Sequence, residues 1–156
     1  MNFKEIVNNS LKLAITKGAD LAEVYFLKTS TNKIDVLDQK VESIDKISDH
    51  GLAIRVIKND SLGFAFTADL ESVDETVSRA IEASKKIPPD KNNKLSEPTK
   101  EVLELDLYDK KISEISADEK VRLAMQIEKA AYQFSKKVKK TEKVSYIDSE
   151  TNVILA

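Results

Sequence analysis

The sequence predicts an α+β fold, an antiparallel meander sheet of about four or more strands packed with two to three helices. Three observations carry that prediction. Residues 3–17 repeat apolar side chains at helical spacing. From 22 to 67 the period drops to two, with only short polar breaks and no helical stretch between them. Helical spacing then returns at 72–87. Strands laid down consecutively without an intervening helix pair as antiparallel neighbours, because a parallel pair needs a long crossover.

In "FKEIVNNSLKLAITK" the residues Phe3, Ile6, Val7, Leu11 and Ala14 form one stripe, Asn2 stands at the cap with Glu5 three residues on, and Gly18 is the stop. "AEVYFLKT" (22–29) alternates as a strand. "NKIDV" and "VESIDKIS" read as two further strands around the polar turn at 38–40. "GLAIRVI" and "SLGFAFT" alternate on either side of Asn59 and Asp60, residues suited to a tight hairpin turn. The following helix places Val73, Val77, Ala80, Ile81 and Ser84 on one face, with Ser72 and Glu75 at capping-box spacing.

Residues 88–100 hold all three prolines and almost nothing apolar, so they read as a linker or long loop. This divides the chain into 1–87 (helix, sheet, helix), 88–100, and 101–156, the last being part of the same N-terminal domain. In that last part "EVLELDLYD" is a short extended piece. Ser116 and Glu119 then open a helix whose apolar side is Leu123, Ile127, Ala131, Phe134 and Val138. "KVSYIDSETNVILA" reads as a strand, a turn and the start of another strand. It closes on an apolar run without cap or charge, so the fold is expected to continue past Ala156.

Composition narrows the function. With 33% charged and 41% hydrophobic residues over 156 positions, the chain has the balance of a single globular domain and not of a disordered one. Its 25 basic and 27 acidic residues leave a net charge of -2, which argues for neither a nucleic-acid nor a membrane partner. No signal-type or membrane-length apolar run occurs, and the cytoplasm is the expected compartment. The absence of cysteine excludes disulfides and thiolate-ligated metal within these residues.

His50 is the one side chain that normally titrates near neutrality, and Asp49 could orient it. A lone histidine cannot supply the three or four ligands a zinc site needs, nor does any nucleophile-elbow motif accompany it. His50 is therefore expected to be a solvated residue at a strand entry. Gly51 and Gly63 fit neither a P-loop nor a dinucleotide fingerprint, and are expected to shape strands. Arg55 sits mid-strand on the face of Ala53 and Ile57. Either that face is partly wet or the guanidinium meets a carboxylate, and in its functional version this is a salt bridge to a partner element. "KKVKKTEK" (136–143) has five lysines in eight residues but no interleaved aromatic. It reads as a solvated helix end, with an acidic stretch at 101–119 available to attract it. No residue is assigned as catalytic, cofactor-binding or metal-ligating.

The ordered set "GADLAEVYF", "GLAIRVIKNDSLGFAFTADL" and "LDLYDKKISEISADEK" resembles the N-terminal region of the TldD/PmbA family, metallopeptidases and their relatives historically labelled modulators of DNA gyrase. The resemblance runs from about Leu11 to the end. Its most specific element is the hairpin bearing Gly51, Arg55, Gly63, Phe64 and Thr67, followed by the Asp69–Leu70 helix entry. It implies a zinc peptidase whose metal sits in a His-Glu-x-x-x-His motif with a later cysteine, in a C-terminal part downstream of the region matched. It further implies pairing with a homologous subunit, one of the two lacking the motif, and peptides or unfolded protein as substrate inside an enclosed cavity. None of those catalytic residues maps onto this chain, which alone is expected to be inactive and to carry no cofactor. The different reading that the residues leave open is a stand-alone protein-binding module.

Overall fold

A computed structural model describes residues 2–97, 99 and 103–156. The elements run α1 (Phe3–Thr16), β1 (Leu21–Leu37), β2 (Lys40–Lys58), β3 (Ser61–Thr67), α2 (Val73–Ser84), α3 (Lys110–Glu114), α4 (Ala117–Phe134) and β4 (Val144–Leu155). The four strands form one open antiparallel sheet in the order β3-β2-β1-β4. The meander is thus β1-β2-β3, and β4 adds beside β1, where Val24 and Ala156 exchange both backbone hydrogen bonds at 2.8 and 3.0 Å. This is the expected α+β fold with one extra short helix, α3.

Strand boundaries differ from the expectation in a consistent way. The strands expected at 22–29 and in "NKIDV" are one strand, β1; "VESIDKIS" and "GLAIRVI" likewise merge into β2. Ser30 and Thr31 read as a break between the first two, but neither is Gly or Pro. Thr31 and Asn32 instead find partners on β4, bonding Ser149 at 2.9 Å and Asp148 at 2.8 Å. The C-terminal stretch is a single strand without a turn. Both hairpin turns are two-residue turns with left-handed backbone. Asp38 and Gln39 have φ of 51° and 55°, and Asn59 and Asp60 have 50° and 61°, as a type I′ turn between twisted strands requires.

The chain forms two compact units. The first comprises residues 1–29, 49–100 and 151–156, and the second 30–48 and 101–150. In the first, α1 and α2 cover one sheet face over a core of Val7, Ala14, Val24, Phe26, Leu52, Ile54, Val56, Val77, Ala80 and Ile81. Asn2 caps α1 by accepting from the Glu5 N–H, and Gly18 ends it at φ +94°. Lys17 joins α1 to α2, its Nζ donating to the Asp74 carboxylate at 2.5 Å and to the Ser78 hydroxyl at 2.8 Å. Ser72 does not cap α2. Asp69 accepts from the Glu71 N–H and the Ser72 hydroxyl in a short 3-10 turn at Leu70–Ser72, a better acceptor one turn earlier. Gly63 is the contact point of helix and sheet. A Cβ there would lie 2.0 Å from the Ala80 carbonyl oxygen.

The second unit has a small apolar core, Ile34, Val36 and Ala124, with Val121, Met125 and Tyr146 packed on it. Here the expected face of α4 is wrong. Ile127 and Phe134 are exposed, and the buried row is Lys120, Ala124 and Glu128. Charged residues can occupy the inner row because each meets a partner there, described below. Ser116 caps α4 as expected, accepting from the Glu119 N–H. The helix stops at Phe134, before the lysine cluster, and its last turn carries no basic residue. Of "EVLELDLYD", Glu101 and Val102 lie outside the described residues, and 103–109 form no strand.

Candidate functional site

The first unit buries one face of its sheet and leaves the other open. Strand alternation sends Val24, Phe26, Leu52, Ile54 and Val56 under the helices and turns Glu23, Tyr25, Leu27, Ala53 and Arg55 outward. The β2–β3 register pairs Ala53 with Phe66 and Arg55 with Phe64, so both phenylalanines join that outer face. They are 71% and 55% exposed for Phe66 and Phe64, with ring centroids 6.3 Å apart. Tyr25, Leu27, Ala53, Phe64 and Phe66 line an open groove of about 460 Å³ that reaches Asp49, His50 and Thr67. A second concavity shares Tyr25, Ala53 and Phe64 and continues to Glu23 and Arg55.

The Arg55 Nη2 donates to Glu23 Oε1 at 2.7 Å, both side chains being partly exposed. The two sequence alternatives for Arg55 therefore hold together, a partly wet face and a carboxylate partner. That partner is on the neighbouring strand of the same unit. His50 is exposed within β2 and not at its entry, its ring 6.5 Å from that of Phe26. Gly51 has ordinary contact distance to its surroundings, the Thr67 carbonyl oxygen being 3.5 Å from a Cβ built there.

The second unit holds a buried polar cluster that sequence reasoning missed. Glu128, fully buried, accepts the backbone N–H groups of Asp38 at 3.0 Å and Gln39 at 2.6 Å, and also the Gln39 side-chain amide and the Thr141 hydroxyl. Burial pushes its pKa up, but the bonds from Thr141, Gln39 and Asp38 together bring it below the usual value. Lys120 and Asp148 pair at 2.7 Å, and Asn32 donates to the other Asp148 oxygen. The Lys33 ammonium, then the Ser145 hydroxyl, hold the Asp35 carboxyl down to about 2. In sequence these acids and bases are indistinguishable from solvated ones, and no local pattern marks them.

A depressed carboxyl pKa stabilises the fold above its unfolded value and loses that contribution as pH falls through the folded value. For Asp35 the window runs from 3.8 down to about 2. The urea midpoint of the second unit is expected to fall across that window. In Asp35→Asn the fall should be shallower, and a pH slope equal to that of the parent would contradict the assignment.

The residues present do not fit a zinc ion. The chain has one histidine and no cysteine, and among the described residues no group of three or more His, Asp or Glu is placed to hold a metal. What the geometry does define is a sheet-and-helix domain with an open apolar face. Also among the described residues, no helix is long and apolar enough to cross a membrane.

Comparison with known proteins agrees with that class. Residues 22–84, the first hairpins and α2, match the family model of PmbA/TldA metallopeptidase domain 1. The chain is 32% identical over 148 residues to Metalloprotease PmbA of Escherichia coli O157:H7, covering 92% of this chain and 32% of that protein. It is 28% identical to the Metalloprotease PmbA homolog of Haemophilus influenzae, covering 96% and 34%. Among solved structures, TldE from Thermococcus kodakarensis shares the fold at a TM-score of 0.71 and 22% identity, over 97% of this chain and 35% of that one. A Thermotoga maritima protein described as a candidate modulator of a DNA gyrase superposes with a TM-score of 0.83 at 21% identity, over 99% and 35%. Residues 22–84 thus carry the first domain of the TldD/PmbA family. The chain spans about a third of the length of the curated relatives it matches.

Proposed function

We propose that this chain is the N-terminal, non-catalytic domain of a TldD/PmbA-type metalloprotease or of its paired partner subunit. Its work is to build the wall of the substrate cavity and the subunit interface, in the service of peptide processing or degradation. The observation that carries this reading is the match of residues 22–84 to the family's first domain, since those residues hold three of the sheet's four strands and the helix α2 packed on them. The metal chemistry of the family belongs to a part of the relatives that this chain does not align with, and no step of it is assigned to residues here.

A domain exchange tests the reading. The matched third of the E. coli metalloprotease is replaced by this chain, and hydrolysis of an unfolded peptide is compared with that of the relative lacking its first third. Restored hydrolysis supports the proposal; a folded, metal-loaded chimera no more active than the truncated relative sinks it. The alternative, a stand-alone protein-binding module, is favoured by the open apolar face of the first unit, and predicts a folded but inactive chimera.

A further inference from the structure

We infer that the groove on the open sheet face of the first unit is a binding site for a small organic cation, one with a flat or branched apolar body and a protonated or quaternary amine.

The groove is built outward from the sheet's β2 strand. Its outward positions are Asp49, Gly51, Ala53 and Arg55, every second residue. Gly51 and Ala53 offer at most a methyl group, so the centre of the face is a floor and not a ridge. On one side β1 raises Tyr25 and Leu27, and on the other β3 raises Phe64 and Phe66. Two strand spacings, about 10 Å, separate these rows and leave room for one flat apolar body between them. The volume of about 460 Å³ is that of a small-molecule site, where apolar walls surround a few polar groups. With charged side chains at 49 and 55, the apolar floor is only Gly51 and Ala53 long. That suits a small molecule better than an extended chain.

Charge then selects the sign of the ligand. At one end Arg55 and Glu23 close on each other at 2.7 Å and add no net charge. At the other end Asp49 is exposed and has no hydrogen-bond or ion-pair partner among the described residues. Its carboxylate is the uncompensated charge of the groove. The rings of Tyr25, Phe64 and Phe66 act in the same sense, since the face of an aromatic ring carries negative potential and attracts a cation. Those rings are 40%, 55% and 71% exposed, so their faces are open to a ligand. An amine is thus drawn by the carboxylate and by the rings, an anion is repelled by both, and a neutral apolar body gains only its burial.

Titration of the purified chain with benzyltrimethylammonium, followed by amide NMR shifts, is the test, with benzenesulfonate as the anionic counterpart. Saturable shifts are expected at residues 25–29, 49–53 and 64–68, with a dissociation constant on the order of 1 mM or tighter. Benzenesulfonate should give none below about 10 mM. Asp49→Asn should weaken binding of the cation by about fivefold and reduce its advantage over the anion. Ala53→Leu should abolish saturation by filling the floor. Phe66→Ser, at a site already exposed, removes part of one wall without touching the core and should weaken binding by about threefold or more; circular dichroism confirms that each variant is folded. No saturation by the cation at about 10 mM, equal binding of the sulfonate, or an Asp49→Asn variant that binds like the parent would each overturn the inference. So would a dimer that buries the groove and that the cation does not dissociate, which would assign the face to a second copy. The domain-exchange experiment is independent of all these outcomes.

Discussion

Gly63→Ala is expected to destabilise the first unit by about 3 kcal/mol, beyond the usual cost of one surplus methyl in a packed core. The added Cβ would sit 2.0 Å from the Ala80 carbonyl oxygen and 2.9 Å from both the backbone nitrogen and the Cβ of Ser84. These are atoms of α2 fixed by the helix itself, so no rotamer change relieves the clash and the helix must lift off the sheet. Lifting exposes Val77, Ala80 and Ile81, all now buried against the strands. Gly51→Ala is the control. Its new methyl meets the Thr67 carbonyl oxygen at an ordinary 3.5 Å, and a change of under about 1 kcal/mol is expected. Urea unfolding of the two variants side by side checks the contrast, and equal midpoints would refute this account of helix placement.

Glu128→Ala is expected to cost the second unit about 3 kcal/mol, from two part-buried backbone donors that lose a charged acceptor plus the lost packing of a fully buried side chain. The carboxylate takes the N–H groups of both Asp38 and Gln39, whose backbones are held at positive φ, a region Asp visits and Gln seldom does. Glu128→Gln keeps the volume but turns an NH₂ toward donors, so an intermediate loss is expected. Hydrogen exchange localises the effect: protection should fall at residues 34–42 and in α4, with α1 and α2 unchanged. A uniform loss over the whole chain, or none, would contradict the role given to Glu128.

What could be read from the sequence follows a physical division. Period and punctuation are local, so α1 with its Asn2 cap and Gly18 stop, the Asn59–Asp60 turn, and the buried face of α2 were all legible. So was the family, because its marks sit in the same hairpin. The face of α4 was not. Its apolar stripe, Leu123, Ile127 and Phe134, obeys helical spacing, whereas the inner row is held by Lys120 and Glu128. Their partners, Asp148 and the turn at Asp38–Gln39, are far away in sequence. A buried charge looks like a solvated one until its partner is known. The strand lengths failed for a related reason, since the polar side chains of Thr31 and Asn32 find their partners on Ser149 and Asp148, more than a hundred residues on. The open face was half legible: alternation puts Tyr25, Leu27 and Arg55 on one side of their strands, but their exposure depends on where the helices pack.

The two hairpin turns also impose an order on folding. At Asn59–Asp60 the Asp20 carboxylate, 39 residues back, accepts the Asn59 N–H, and Asn59 tolerates the left-handed region, so this turn closes within the first unit. At Asp38–Gln39 the acceptor is Glu128, about 90 residues on, and the turn gains it only once α4 has docked. Loop closure over that distance comes late. The clamp on the tip of the first hairpin is therefore expected to form after the barrier has been crossed. Changes at Glu128 or Gln39 should hasten unfolding while leaving the refolding rate nearly untouched, so that the clamp acts chiefly to prolong the life of the folded state.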